Sequence, residues 1–301
     1  MPATQSLTKT SAETQSTQET LKHRVPHSHT LIAAVISGAT GAGAAFIFQG
    51  AKKRLQTNQS LPKIDLKTVR LHSQPFRAMT GASARFLRES FRGVGGYIAS
   101  SVPTSVTQQM ARHEIKERGL SKTTTGKIAG LLFSGGLGGV ASTVVENTTL
   151  EQQLKKIGPT QAVKNLLHQG GVARLFVGLP LIFAREAVFG AAYLDGSQIA
   201  AKEATDYFRT PNAALPAMLG VGVAGSLLSH PFDTVASTMQ HKNFKRARDA
   251  ASYLYQEGGL SAFYKGGLAR VGLFTTAMLT MVKTTEIVIN TLNEDQLKIR
   301  R

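Results

Sequence analysis

"QGGVARLFVG" (Gln169–Gly178) and "EGGLSAFYKG" (Glu257–Gly266) lie 88 residues apart and share three glycines in register. An aliphatic residue follows each glycine pair, Val172 and Leu260, and an aromatic stands two before each final glycine, Phe176 and Tyr264. A looser copy, "FRG" at Phe91–Gly93, ends 85 residues before Gly178. Self-similarity at a fixed period marks a repeated structural unit, so the chain reads as three units: 30–120, 121–205 and 206–301.

Each unit carries two long runs without charge. Leu31–Gly50, "LIAAVISGATGAGAAFIFQG", is twenty residues free of charge, about the length that crosses a bilayer as a helix. Gly93–Met110, Ile128–Val145 and Thr210–Phe232 are also free of Asp, Glu, Lys and Arg, and Leu175–Leu194 is interrupted only by Arg185 and Glu186. The sixth run, Val271–Val282, is short, and its flanking charges Arg270 and Lys283 must snorkel or face inward. The fold class expected is therefore an all-α membrane protein of six transmembrane helices, in three pseudo-symmetric repeats of two. The connections agree with that count. Ala51–Arg92 carries ten Lys or Arg against Asp65 and Glu89, and Ser237–Asp249 is basic, whereas "EIKERGLSKTTTGK" and "KEATDYFR" mix both signs. Such alternation puts the basic connections on one side of the membrane and both chain ends on the same side.

The formal charge of +17 with no Cys and no Trp narrows the function classes. Without cysteine there are no disulfides, thiol nucleophiles or Cys-ligated metals. A nucleic-acid binder needs a basic face with stacking aromatics or a helix-turn-helix pattern, and neither is present. Lone histidines such as His230 and the Ser and Thr of the spans have no triad or metal spacing around them, so no enzyme is expected. A soluble helical repeat protein leaves the five long uncharged runs without a reason. Residues 1–29 are rich in Ser, Thr and Gln and lack an apolar run, which predicts a disordered polar tail with no cleavable address.

These features resemble the mitochondrial carrier family over nearly the whole chain after the tail. In that family each repeat begins with a helix ending in Pro-x-[Asp/Glu]-x-x-[Lys/Arg], and a later aromatic-basic-Gly element opens the second helix. The third repeat supplies "PFDTV" at Pro231–Val235 and "YKG" at Tyr264–Gly266. The first keeps Lys52, Arg54 and Gln56 but has Ile47 and Gln49 where the proline and acid belong; the second places Thr149 at the proline, Glu151 at the acid and Leu154 at the base. The resemblance implies a matrix gate of interhelical ion pairs involving Lys52, Glu151 and Asp233, with Asp233 paired to Lys52, Glu151 opposite Ala236, and Gln49 opposite Leu154. It implies a helix kink at Pro231. It also implies cardiolipin at the helix starts marked by Arg92, Gly93, Gly178, Lys265 and Gly266, weaker at Gly178 for want of a base. Interfacial anchoring is the plain alternative for those residues.

Substrate contacts in the family fall seven residues beyond each such glycine, which gives Ser100, Arg185 and Leu273, with Glu186 beside the charged one. Arg followed by an acid there is associated with amino-acid carriers. An ionisable pair in mid-span is a site hypothesis in its own right, although it can equally serve only to join neighbouring helices. The resemblance thus implies exchange of a small metabolite by alternating access across the mitochondrial inner membrane. An amino acid or carboxylate is favoured, and a nucleotide is kept as an alternative. The expected partners are a small-molecule substrate and membrane lipid, not nucleic acid; the expected state is a monomer; the expected cofactor is none beyond bound cardiolipin. The rival reading is a carrier fold that has abandoned transport and acts as a scaffold or insertion factor of the outer mitochondrial membrane; a peroxisomal carrier would read alike.

Overall fold

The computed structural model describes residues 27–59, 91, 93–119 and 123–299. Helices follow one another as α1 (His27–Gln56), α2 (Val94–Glu117), α3 (Thr124–Lys155), α4 (Pro159–Leu175), α5 (Leu179–Gly190), a π-helical turn (Ala191–Gly196) and α6 (Ser197–Phe208). A 3₁₀ turn (Pro211–Ala213) leads to α7 (Ala214–Lys242), then come α8 (Ala247–Gly258), a second 3₁₀ turn (Gly259–Tyr264) and α9 (Gly267–Ile299). No strand occurs among the described residues. The predicted tail lies outside them up to residue 26, and the first helix begins at His27. Most of the first basic connection and Arg92 also lie outside them.

The helices begin and end where local chemistry allows. Thr123 caps α3 by accepting from the Gly126 N–H, and Pro159 opens α4 at a position whose missing N–H costs nothing. Lys156 and Asn243 leave α3 and α7 in the left-handed conformation that stops a helix. Pro231 falls inside α7 without ending it. Both α3 and α7 run on past the uncharged stretches, to Lys155 and Lys242. Charge bounds the apolar run, not the helix, because the polar residues beyond it turn inward.

Three helical stretches, 125–155, 211–242 and 247–292, are long and apolar enough to cross a membrane among the described residues; a fourth qualifies if 159–175 and 179–208, bent by 61°, count as one. The chain divides into two compact units. One holds the first turns of α1 and the last turns of α9, where Lys283 pairs with Glu286 at 3.0 Å. The other, residues 38–280, holds everything that follows.

Within that second unit one turn recurs three times. Gly93, Gly178 and Gly266 have φ of +88°, +83° and +81°, a region that glycine alone enters without strain, and each immediately precedes or caps an even-numbered span. Each also lies against the odd span of the next repeat: a Cβ on Gly93 would meet Thr149, one on Gly178 would meet Gln240 and Ala236, and one on Gly266 would meet the Lys52 carbonyl at 3.0 Å. The order is cyclic, repeat one on two, two on three, three on one. The paired glycines of the opening motif repeat as well, with Gly171 at φ +65° and Gly259 at +60°.

Small residues also bring helices into backbone contact. A Cβ on Gly135 would fall 2.6 Å from the Glu186 carbonyl and one on Gly139 2.9 Å from that of Ile182, so α3 and α5 touch along their backbones. Gly222 similarly leaves room for Phe274, which stacks edge-on to Phe189 at 5.7 Å. The short amphipathic helix α8 buries Ala250 and Leu254 against Val235 of α7 and Ala262.

Candidate functional site

Asp233, fully buried on α7, is the centre of the polar interior. Its carboxylate meets Lys52 Nζ at 3.0 Å and Lys53 Nζ at 3.4 Å from α1, Arg185 Nη1 at 2.9 Å from α5, and Arg270 Nη1 at 3.5 Å from α9. Gln56 Nε2 donates to it as well, at 2.8 Å. Lys52, Lys53 and Gln56 can converge because α1 continues past its uncharged run for another turn and a half as a basic, polar helix end.

Arg185 is only 4% exposed and binds three carboxylates on three helices. Its guanidinium forks onto Glu146 of α3, Nη1 to Oε2 at 2.7 Å and Nη2 to Oε1 at 2.5 Å. It also donates to Glu186, Nε to Oε1 at 3.0 Å, and to Asp233. A planar fork of fixed donors is suited to this bidentate geometry in a way an ammonium is not. Ser142 Oγ donates to Glu146 at 3.1 Å, and Gln108 of α2 reaches Glu186 at 3.5 Å. Arg270 is anchored by the Ser226 carbonyl and by Ser229 Oγ, each at 2.8 Å.

Four cations, Lys52, Lys53, Arg185 and Arg270, thus face three carboxylates, Glu146, Glu186 and Asp233, leaving one positive charge in excess within the cluster. Charges taken out of water are tolerated only when paired and hydrogen-bonded, and the removal of one partner typically costs about 3–5 kcal/mol. The cluster joins α1, α3, α5, α7 and α9 through ions that a competing charged group can redistribute.

The residues expected from the sequence divide into three groups. Lys52, Asp233, Arg185 and Glu186 come together here. Glu151 does not: it binds Lys155 of its own helix at 2.5 Å and accepts from Gln169 at 3.1 Å, both away from the cluster. Ser100 is buried but returns its hydroxyl to the Tyr97 carbonyl at 2.8 Å, and Leu273 is half-buried with only an apolar side chain to offer. Lys265 is engaged by Glu257 at 3.2 Å and Asn58 at 3.0 Å. Gly178 and Gly266 shape helix starts as described, while Arg92 falls outside the described residues.

Lys53, Glu146 and Arg270 are cluster residues that the sequence reading passed over. Glu146 had a signal: it is the first charge after the run Ile128–Val145, and an acid embedded in a span is functional by default. Arg270 flanks the short sixth run, whose bounding charges are expected either to snorkel or to face inward, and it faces inward.

Transverse helices packed through glycines, a threefold-recurring turn and a buried ion cluster define a polytopic helical membrane protein built from repeats. A family model described as mitochondrial carrier protein matches residues 212–296. Over 277 residues the chain is 24% identical to mitochondrial glycine transporter A of Danio rerio, covering 85% of this chain and 93% of that protein. It is 25% identical over 276 residues to mitochondrial glycine transporter B of the same fish, again 85% and 93% of the two chains. A shorter match, 33% over 124 residues, is to mitochondrial 2-oxodicarboxylate carrier 1 of Saccharomyces cerevisiae, 38% of this chain and 39% of that one. Residues 212–296 thus match the mitochondrial carrier family, and the similarity to mitochondrial carriers extends over most of the chain. Its relatives are named as transporters and carriers, not as enzymes.

Proposed function

We propose that this protein exchanges a small carboxylate-bearing metabolite, an amino acid or a carboxylate, across the mitochondrial inner membrane by alternating access. The observation that carries the reading is the position of Arg185, buried and shared among Glu146, Glu186 and Asp233 from three helices. A substrate carboxylate that takes Arg185 releases those three acids from it. Binding is thereby coupled to the links between α3, α5 and α7, which is what a carrier needs: a ligand moves a conformational equilibrium only by interacting differently with its two states. The excess positive charge of the cluster favours an anionic group, and Glu186 is placed to take the ammonium of an amino acid. Glycine and 2-oxodicarboxylates, the substrates in the relatives' names, share the carboxylate. Lys52 with Asp233 forms the gate in this reading. Six spans, a monomeric carrier and cardiolipin at the starts of α5 and α9 complete it; no covalent chemistry is involved.

The test is reconstitution with cardiolipin into liposomes and uptake of labelled glycine, other amino acids, 2-oxodicarboxylates and nucleotides, with Arg185→Ala alongside. Saturable exchange of a carboxylate substrate, lost in the variant, is the expected result. Well-folded protein that moves nothing would replace this reading with that of a carrier-fold scaffold or insertion factor of the outer membrane. One observation favours that second reading: Gln49, where the family resemblance puts an acid on α1, is buried and uncharged, and its Oε1 has no hydrogen-bond partner among the described residues.

A further inference from the structure

Three acids share Arg185, and they are not equally open. The side chain of Asp233 is 0% exposed and that of Glu146 7%, whereas Glu186 keeps 15% of its side chain accessible. Glu186 is therefore the acid that an incoming group meets first. Its two oxygens are also used unequally. Oε1 accepts both bonds from Arg185, from Nε at 3.0 Å and from Nη2 at 2.7 Å. Among the described residues Oε2 accepts only from Gln108 Nε2, at a long 3.5 Å. A carboxylate oxygen has room for about two hydrogen bonds, so Oε2 can take a second donor.

Gln108 comes from α2, and its amide sits in a notch that glycines leave open. Besides Glu186, its Nε2 donates to the Gly135 carbonyl of α3 at 3.2 Å. Both partners are acceptors, so the nitrogen and not the oxygen of the amide faces them. A Cβ on Gly138 would collide with that amide, and one on Gly190 would come within 3.8 Å of its nitrogen. Gln108 is itself buried. With one N–H fixed by a main-chain carbonyl, the amide offers the other to Glu186 from a set position.

We propose that Gln108 is a positioning residue for substrate selection: it holds Glu186 Oε2 where a substrate ammonium meets it, so that the site takes an α-amino acid in preference to the matching 2-oxo acid. The inference rests on the transport reading above and decides its choice between an amino acid and a carboxylate. With the substrate carboxylate on Arg185, the group on the next carbon falls beside Glu186, which Arg185 already binds. An ammonium there is matched by the carboxylate. A ketone oxygen instead sets two acceptors against each other with no hydrogen between them. Sites built to hydrogen-bond a substrate N–H reject the analogue that lacks it far more strongly than apolar pockets discriminate.

The experiment uses the full-length protein in cardiolipin liposomes and three pairs of compounds: glycine with glyoxylate, glutamate with 2-oxoglutarate, and leucine with 4-methyl-2-oxopentanoate. Both kcat and KM are measured for each. In any pair that is transported, kcat/KM for the amino acid should exceed that for the oxo acid by at least about tenfold. Gln108→Met, close in length and without N–H donors, should shrink that ratio roughly tenfold, through a higher KM for the amino acid. Gly138→Ala keeps Gln108 but drives its amide from the notch, and should act in the same direction. In a Glu186→Gln background neither change should move the ratio further, because both work through Glu186. Equal losses for both members of a pair, a ratio that Gln108→Met leaves as it was, or a wild-type preference for the oxo acid overturns the proposal and leaves transport standing. If no member of any pair is moved, the transport reading fails and the same ratio is read from equilibrium binding in detergent. Amino-acid binding that Gln108→Met weakens roughly tenfold then sustains the proposal, and absence of binding overturns it.

Discussion

Asp233 lies nine residues before α7 ends at Lys242 and Glu151 four before α3 ends at Lys155; the first is the hub of the interior and the second a local contact. Asp233 gathers Lys52, Lys53, Arg185 and Arg270 from three other helices. Glu151 reaches Lys155 four residues on and Gln169 of α4. The carboxylates are alike; their neighbours decide. Beside Asp233 the end of α1 supplies two lysines, whereas Glu151, nearer the end of its own helix, has Lys155 and Gln169 for neighbours. Charges from all three repeats meet in one cluster around Asp233, and Glu151 stands outside it.

The contrast is tested most severely by neutralising the hub. Asp233→Asn leaves four cations to two carboxylates, and the expected loss is about 3–5 kcal/mol, read as a large fall in unfolding midpoint or failure to accumulate folded protein. Glu146→Gln removes the forked partner of Arg185 and two charge-assisted bonds. A loss of about 3 kcal/mol and abolished uptake are expected, with a double substitution including Arg185→Met less damaging than the sum, since the two groups share one interaction. Gly266→Ala forces a Cβ into a left-handed turn, 3.0 Å from the Lys52 carbonyl, and should cost roughly 1–2 kcal/mol or more. Glu151→Gln closes the series. Its pair with Lys155 is an i,i+4 contact in which Glu151 is buried and Lys155 half in solvent, and the expected change is about 1 kcal/mol, well below that at Asp233. If Glu151→Gln proved as damaging as Asp233→Asn, the difference between the two helix ends would not be energetic at all.

Much of the plan is legible in the sequence because it rests on patterns that tertiary context does not override. Uncharged runs locate the long helices, and the recurring glycines locate three backbone turns that only glycine makes easily, with φ between +81° and +88°. Arg185 announces itself as a charge inside an apolar run, and Lys52 and Asp233 lie where the carrier resemblance puts neighbours. The rest is hidden for a physical reason. Reading spans by absence of charge stops at Val145, so Glu146 looked like a boundary, although α3 continues nine residues further. Counting seven residues beyond Gly266 reaches apolar Leu273 and passes Arg270, one turn earlier, whose guanidinium points inward because Ser226, Ser229 and Asp233 satisfy it. Side-chain reach, up to a full helical turn for Arg and Lys, blurs any count made on backbone positions.

The cyclic seating of Gly93, Gly178 and Gly266 has a consequence for genetics. Damage from a substitution at one of these glycines is felt in the following repeat, so its second-site suppressors belong there and not beside the lesion. For Gly93→Ala the obstructing atom is the Thr149 methyl at 2.9 Å, and Thr149→Ser removes it, relieving the clash though not the backbone strain. For Gly266→Ala the obstacle is a main-chain carbonyl, which no exchange of side chain can withdraw. A suppressor screen should therefore recover revertants of the first lesion in repeat two and almost none of the second, and that asymmetry would trace the order in which the three repeats close on one another.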